Sequence, residues 1–246
     1  MDNQDLERYS RQINLQGFGY DAQKTLAKSH VLVLGAGGLG SPAATYLVAA
    51  GVGTLTLIDP DVVERSNLAR QIAHRDESIG KAKVDSARRY LSALNPKVTI
   101  HALHRPFDSE CESLVQAADV VVDCTDNFES RHAANQLCWQ TGTPLVSGAA
   151  IRFEGQLLVV DPRENNSPCY ACLHPNTGQT RAESCSADGI LSPVVGLVGV
   201  AQALEAIKVL TGTGQPLVGQ LMLFDAMSHE WNKLKLPKRA NCEVCR

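Results

Sequence analysis

The run Val31-Leu-Val-Leu34 passes directly into Gly35-Ala-Gly-Gly-Leu-Gly40. Four apolar residues that stop at a glycine read as a buried strand. The Ala-rich stretch 39–50, ended by Gly51, reads as a helix. Strand, glycine turn and helix in immediate succession leave few folds open. The glycines let the backbone turn tightly and approach a ligand, and the helix N-terminus behind them favours an anion. Asp59 closes the next strand, 54–58, where an acid suits a ribose hydroxyl.

The same alternation continues along the chain. Helices are expected at 81–94 and 128–140, and strands at 98–103, 120–123 and from 144. Strands alternating with helices at this spacing predict an α/β fold of Rossmann-like, doubly wound type, with a mostly parallel sheet. Residues 6–15 read as an N-terminal helix carrying Arg8 and Arg11. After Ala150 the texture changes, with a strand at 156–160, a polar loop at 175–189, a helix entered through Pro193, and strand-like runs at 221–224 and 230–236. These last runs are expected to form C-terminal antiparallel strands. At 246 residues the chain is long for one domain and short for two, so a single α/β domain with appended elements is expected.

Net charge is −3, which lacks the basic excess that a nucleic-acid or anionic-membrane binder needs. The acidic first residues have neither the basic nor the apolar region of a signal peptide. The most apolar stretch, 190–210, is interrupted by Pro193, Gln202, Glu205 and Lys208, so a buried helix is expected there and not a membrane span. The expectation is a cytoplasmic protein with no nucleic-acid and no membrane partner.

The glycine loop alone does not separate a dinucleotide from a mononucleotide. The residues after Asp59 do. Asp61, then Ser66-Asn67-Leu-Ala-Arg70-Gln71, then Gly80-Lys-Ala-Lys83 supply amides and cations that a triphosphate needs, because charge moves on its phosphates during transfer. Arg70 or Lys83 alone reads as a solvated surface charge; the set reads as a phosphate site. Asp123-Cys-Thr-Asp126-Asn127 closes the fourth strand, where ligands of open α/β sheets bind, and places Asp126 to hold Mg²⁺ on phosphate oxygens. Alternatively Asp126 or Asn127 caps the following helix.

Eight cysteines require explanation in a reducing compartment, where a disulfide framework is not expected. Cys169-Tyr-Ala-Cys172 and Cys242-Glu-Val-Cys245 supply four thiolates, enough for a closed, structural zinc site tying the tail to the middle of the chain. Cys185, alone in the polar loop, is a candidate nucleophile or thiol carrier, or an incidental cysteine. Cys111, Cys124 and Cys138 read as packing residues. None of the seven histidines has a convincing partner in sequence.

The chain resembles the MoeB and ThiF family, bacterial relatives of the ubiquitin-activating enzymes. The resemblance runs nearly end to end. It is carried by Arg8-Tyr-Ser-Arg-Gln12, the segments 35–40, 66–71 and 123–127, Ser147-Gly-Ala-Ala-Ile-Arg152 and both cysteine pairs. It implies one adenylating domain over 1–246, with an N-terminal arm (1–30), a nucleotide-binding core (31–150) and a carrier-binding part with a zinc knuckle (151–246). It implies ATP bound at the glycine loop (Gly35, Gly37, Gly38, Gly40) with Asp59, Asp61, Ser66, Asn67, Arg70, Lys83, Asp126 and Asn127. Zinc would sit at the four paired cysteines. Arg11 matches an arginine that each chain of a homodimer lends to its neighbour's site.

The substrate implied is the Gly-Gly terminus of a ubiquitin-like sulfur-carrier protein, with sulfur supplied by a separate protein. Val146–Gly155 looks more like the molybdopterin-synthase branch than the thiamine branch. Cys185 matches a loop cysteine that some family members link covalently to the carrier. Two departures stand out. Ala69 replaces a usual Gln, and no glycine follows Cys245. The rival readings are a thiamine-pathway adenylyltransferase, a nicotinamide-dependent oxidoreductase and a non-enzymatic nucleotide-binding scaffold.

Overall fold

A computed structural model of the chain describes residues 1–176 and 189–246. The N-terminal arm folds as three short helices, α1 (Asn3–Arg8), α2 (Ser10–Ile13) and α3 (Gly19–Leu26). Next come β1 (His30–Leu34), α4 (Gly40–Ala50), β2 (Thr54–Ile58), α5 (Lys83–Leu94), β3 (Thr99–Leu103), α6 (Glu112–Gln116), β4 (Val120–Asp123) and α7 (Phe128–Thr141). The remainder comprises β5 (Leu145–Ile151), β6 (Glu154–Val160), α8 (Tyr170–Leu173), α9 (Ser192–Thr211), β7 (Gln220–Asp225) and β8 (Glu230–Lys235).

The strands form one eight-stranded sheet in the order β3-β2-β1-β4-β5-β6-β7-β8. The first five in that order are parallel neighbours, and β5 to β8 pair antiparallel. The expected α/β architecture is therefore present, with its antiparallel strands at the C-terminal end. The boundary at 150/151 falls inside β5, whose hairpin with β6 carries the sheet across it.

Side chains of β1 alternate between two cores. Val31 and Val33 pack with α4, α5 and α9, while Leu32 and Leu34 pack with α6 and α7 on the other face. All four are fully buried, as a central parallel strand requires. The apolar helix α9 lies against α4, β4, β5 and β6, so much of its hydrophobicity is that of a core element. Tyr46 on α4 and Leu197 and Leu204 on α9 nevertheless remain exposed.

The arm differs from the expected single helix at 6–15. Tyr9 leaves helical geometry, with φ −99° and ψ 9°, and divides it. Its ring is buried against Gly51, where an added Cβ would lie 2.4 Å from Cζ, and Asn95 Nδ2 donates to its hydroxyl at 2.8 Å. Burying this one aromatic outweighs continuing a short exposed helix. Helix α3 has no forerunner in the sequence reading, because its buried face of Ala22, Gln23 and Leu26 holds a single large apolar residue.

Candidate functional site

The glycine loop lies at the carboxyl ends of β1 and β4, where the chain's path through the parallel strands reverses direction. Gly35 has φ +93°, and a Cβ there would come within 2.9 Å of the Cys124 carbonyl. At Gly40 a Cβ would meet the Gly35 carbonyl oxygen at 1.9 Å. Glycine is required at both positions, and the loop is thereby pressed against the turn after β4.

Asp59 fixes this loop from the end of β2. Its Oδ2 accepts the Ala36 N–H at 2.7 Å and its Oδ1 the Asp61 N–H at 2.8 Å. Burial, partly offset by the Ala36 hydrogen bond and by Lys83, holds its carboxyl above the usual aspartate range. Lys83, buried at the start of α5, places Nζ 2.7 Å from Asp61 Oδ2.

Residues 64–71 form a tight turn over the loop. Asn67 is buried, and its Oδ1 accepts the Glu64 N–H at 3.0 Å. The Ser66 hydroxyl is exposed and donates to Glu64 at 3.2 Å. Arg70 Nη1 donates to the Ser66 carbonyl at 3.1 Å, and Arg70 Cγ lies 3.5 Å from where a Gly38 Cβ would stand. At Ala69 the main chain makes the contact, its carbonyl accepting the Ser192 hydroxyl of α9 at 2.5 Å.

The turn after β4 is built on Asp123. This buried carboxylate accepts the Thr125 N–H at 3.0 Å, the Thr125 hydroxyl at 2.7 Å and the Ser147 hydroxyl at 2.8 Å. Asn127 Oδ1 accepts the Ser130 N–H at 2.8 Å and caps α7. The cap therefore falls on Asn127, while Asp126 is exposed with no hydrogen bond or ion pair to a described residue. Asp126 opens onto a cavity of about 500 Å³ that also involves Arg131, Glu154, Gln156, His174 and Asn232.

The sulfurs of Cys169, Cys172, Cys242 and Cys245 all lie within 4.8 Å of one another, and all four residues are buried. Cys169 and Cys242 are 3.5 Å apart and Cys172 and Cys245 3.4 Å, far beyond a disulfide bond. Metal–sulfur bonds of about 2.3 Å in a tetrahedron separate sulfurs by roughly 3.8 Å, so the cluster fits one tetrahedral ion. Cys111, Cys124 and Cys138 are buried, and burial pushes each thiol upward, as packing residues behave. Cys185 lies outside the described residues.

Arg11 is exposed on α2 and bonds to no described residue, so it is not drawn into the loop region of its own chain by any such contact. The arm itself is pinned. Arg8 donates to the Leu94 carbonyl at 3.2 Å, and Gln12 to Gln23 and to the Ala50 carbonyl. Sequence reasoning missed Arg131, Glu154 and His174 beside the cavity, and His74, whose ring bridges Ala36 and Ser86.

The chain is similar to known proteins over its whole length. The pattern of the ThiF family matches residues 9–244. The molybdopterin-synthase adenylyltransferase of Escherichia coli K12 is 44% identical, covering 100% of this chain and 98% of that one. The sulfur carrier protein ThiS adenylyltransferase of the same organism is also 44% identical, covering 100% and 97%. Among solved structures, E. coli MccB with ATP superposes with a TM-score of 0.85 at 22% identity, covering 97% of this chain and 73% of that one, a likeness of fold.

Proposed function

The chain belongs to the ThiF family, and from that premise we propose that it is an adenylyltransferase acting on the C-terminal glycine of a ubiquitin-like sulfur-carrier protein. One observation carries the reading most: Arg70 is packed beside Gly38, while Lys83 is paired with Asp61 after β2, beside the Asp59 that holds Ala36 of the glycine loop. Two cations at a glycine loop suit a triphosphate better than a dinucleotide, which disfavours the oxidoreductase reading.

In the proposed reaction the carrier's terminal carboxylate oxygen attacks the α-phosphorus of ATP. The new O–P bond forms as the bond to the β-phosphate oxygen breaks, and pyrophosphate leaves with the electron pair. The product is an acyl-adenylate. Positioning and charge stabilisation suffice, with no covalent nucleophile. Asp59 serves the ribose and also holds the loop. Asn67 and Ser66 shape the turn that presents Arg70, and Lys83 leaves Asp61 for phosphate. Asp126, exposed and without a partner among the described residues, suits Mg²⁺, which would neutralise phosphate charge. Zinc is the ion best matched to four buried thiolates, in a structural role.

A homodimer in which Arg11 serves the neighbouring site is supported by two features. Arg11 is exposed on an arm pinned to its own chain, and Tyr46, Leu197 and Leu204 leave apolar surface on α4 and α9. A cytoplasmic location and a separate sulfur donor belong to the same proposal. The preferred carrier is the small subunit of molybdopterin synthase. Equal identity to both E. coli enzymes does not choose between carriers. The preference rests on the likeness of Val146–Gly155 to the molybdopterin-synthase branch, a run in the β5–β6 hairpin that also contributes to the cavity beside Asp126. Carrier-dependent ATP–pyrophosphate exchange is the test, run with each purified carrier. Stronger exchange with the molybdopterin-synthase subunit is expected. Exchange with the thiamine carrier alone overturns the preference, and none with either overturns the reading.

A further inference from the structure

The two peptide groups flanking Ala36 are held from opposite directions. The Ala36 N–H donates to Asp59 at 2.7 Å, and the Ala36 carbonyl lies 3.0 Å from Nε2 of His74, with the Ser41 hydroxyl a more distant donor at 3.4 Å. A carbonyl oxygen only accepts, so Nε2 carries the proton. The other ring nitrogen, Nδ1, lies 3.0 Å from Ser86 Oγ. A neutral ring protonated at Nε2 has a lone pair at Nδ1, and the Ser86 hydroxyl donates to it. Burial pushes the His74 pKa down, the Ala36 contact opposes this, and Lys83 and Arg75 add to the lowering, in keeping with an uncharged ring.

A trans peptide is planar, with its C=O and N–H on opposite sides. Turning the Ala36 carbonyl toward His74 therefore turns the Gly37 N–H away from it. Turning the Ala36 N–H toward Asp59 likewise sends the Gly35 carbonyl toward Gly40, where it stands. The Gly37 and Gly38 N–H groups find no acceptor among the described residues. Free N–H groups just before a helix are those a phosphate engages. Ser86 lies on the first turns of α5, close behind Lys83, so the ring also joins the glycine loop to the helix bearing that lysine.

We propose that His74 is a positioning residue for the nucleotide. Held by Ser86 as the Nε2–H tautomer, it sets the plane of the Ala36–Gly37 peptide and presents the Gly37 N–H to the phosphates of ATP. This role rests on the ATP-using reading of the site given above.

The test compares His74→Leu and His74→Gln with the wild type by calorimetry, titrating ATP and the carrier separately. Glutamine can place an amide N–H where Nε2–H stands, so it restores the donor without the ring. His74→Leu is expected to weaken ATP binding on the order of tenfold, the effect of one lost buried hydrogen bond. Carrier affinity holds, and His74→Gln recovers most of the loss. Unchanged ATP affinity in folded His74→Leu overturns the role, as does an equal loss in both variants. Ring-nitrogen NMR of the wild type at neutral pH reads the tautomer without any substitution. A ring protonated at Nδ1, or at both nitrogens, also overturns the role, even if His74→Leu fails to fold. A wild type that binds no ATP defeats the reading of the site itself, and the role with it. ATP binding intact in His74→Leu removes only His74.

Discussion

Lys83 and Asp61 form an unequal pair: the lysine side chain is 8% exposed and the aspartate 62%, with 2.7 Å between Nζ and Oδ2. The ammonium is held by the fold, and its partner faces solvent. Lys83→Met is therefore expected to cost little stability through Asp61, whose carboxylate is hydrated, and to push the buried Asp59 carboxyl further up by removing its nearby cation. Adenylation should fall about 10²- to 10³-fold, the usual effect of removing one charge-stabilising group. Asp61→Asn should lose far less. Thermal unfolding with pyrophosphate exchange separates the two outcomes, and equal loss of activity in both variants would contradict the assignment.

Asp59 supplies a pH dependence. Burial raises its carboxyl pKa in the folded chain, so the native state holds that proton more tightly than the unfolded one. Its stability contribution is present below the unfolded value and lost as pH rises through the folded value. Function runs the other way. As pH falls through the raised pKa, the loop loses the anion that accepts the Ala36 N–H, and ATP affinity should decline at a higher pH than an ordinary aspartate would give. Asp59→Asn should flatten that decline, and an identical pH profile in the two proteins would be the contrary result.

Asp126 and Asn127 are adjacent and separable. Asp126→Ala should abolish exchange at unchanged stability, because the carboxylate is exposed and has no described partner. Asn127→Ala removes a helix cap and should lower stability by about 1 kcal/mol. Denaturant titration of both variants checks this. Full exchange by Asp126→Ala at saturating Mg²⁺ would remove Asp126 from the site.

The four-thiol cluster should hold one zinc ion per chain. Metal analysis after dialysis measures the ratio, and Cys172→Ser should lose the metal together with stability. A metal-free wild type of unchanged stability would rule out the structural role.

Arg11 gives a prediction about pairs of chains. Arg11→Ala and Asp126→Ala should each be inactive alone. Mixed, they should regain partial activity, because one site of a hybrid dimer then carries both groups. Subunit exchange without recovery would place Arg11 in the site of its own chain.

Much of this site was legible because its signals are local. Strands β2 and β4 matched their expected bounds to the residue, since each apolar run ends where polar or glycine residues take over. The glycine loop and the paired cysteines are spacings, and spacing survives in a linear string. His74 was invisible for the opposite reason. Its partner is a main-chain carbonyl 38 residues away, and a carbonyl leaves no mark on the sequence. The cavity residues Arg131 and Glu154 meet only through the antiparallel half of the sheet, whose pairing no local pattern fixes. The division of the arm at Tyr9 likewise depended on a distant Asn95.

The cysteine cluster joins points 73 residues apart, and the span between them contains all of α9, β7 and β8. A metal there would act as a clasp on the unfolded chain. Closing a loop of this length removes roughly 4 kcal/mol of disordered-state entropy. It would also make the C-terminal half tolerant of a cut: two fragments severed anywhere between Cys172 and Cys242 would still be fastened together through the ion. In denaturant that melts the packing of α9 and the β6–β7 pairing, nicked protein should still sediment as one species, and separate there once a chelator is added.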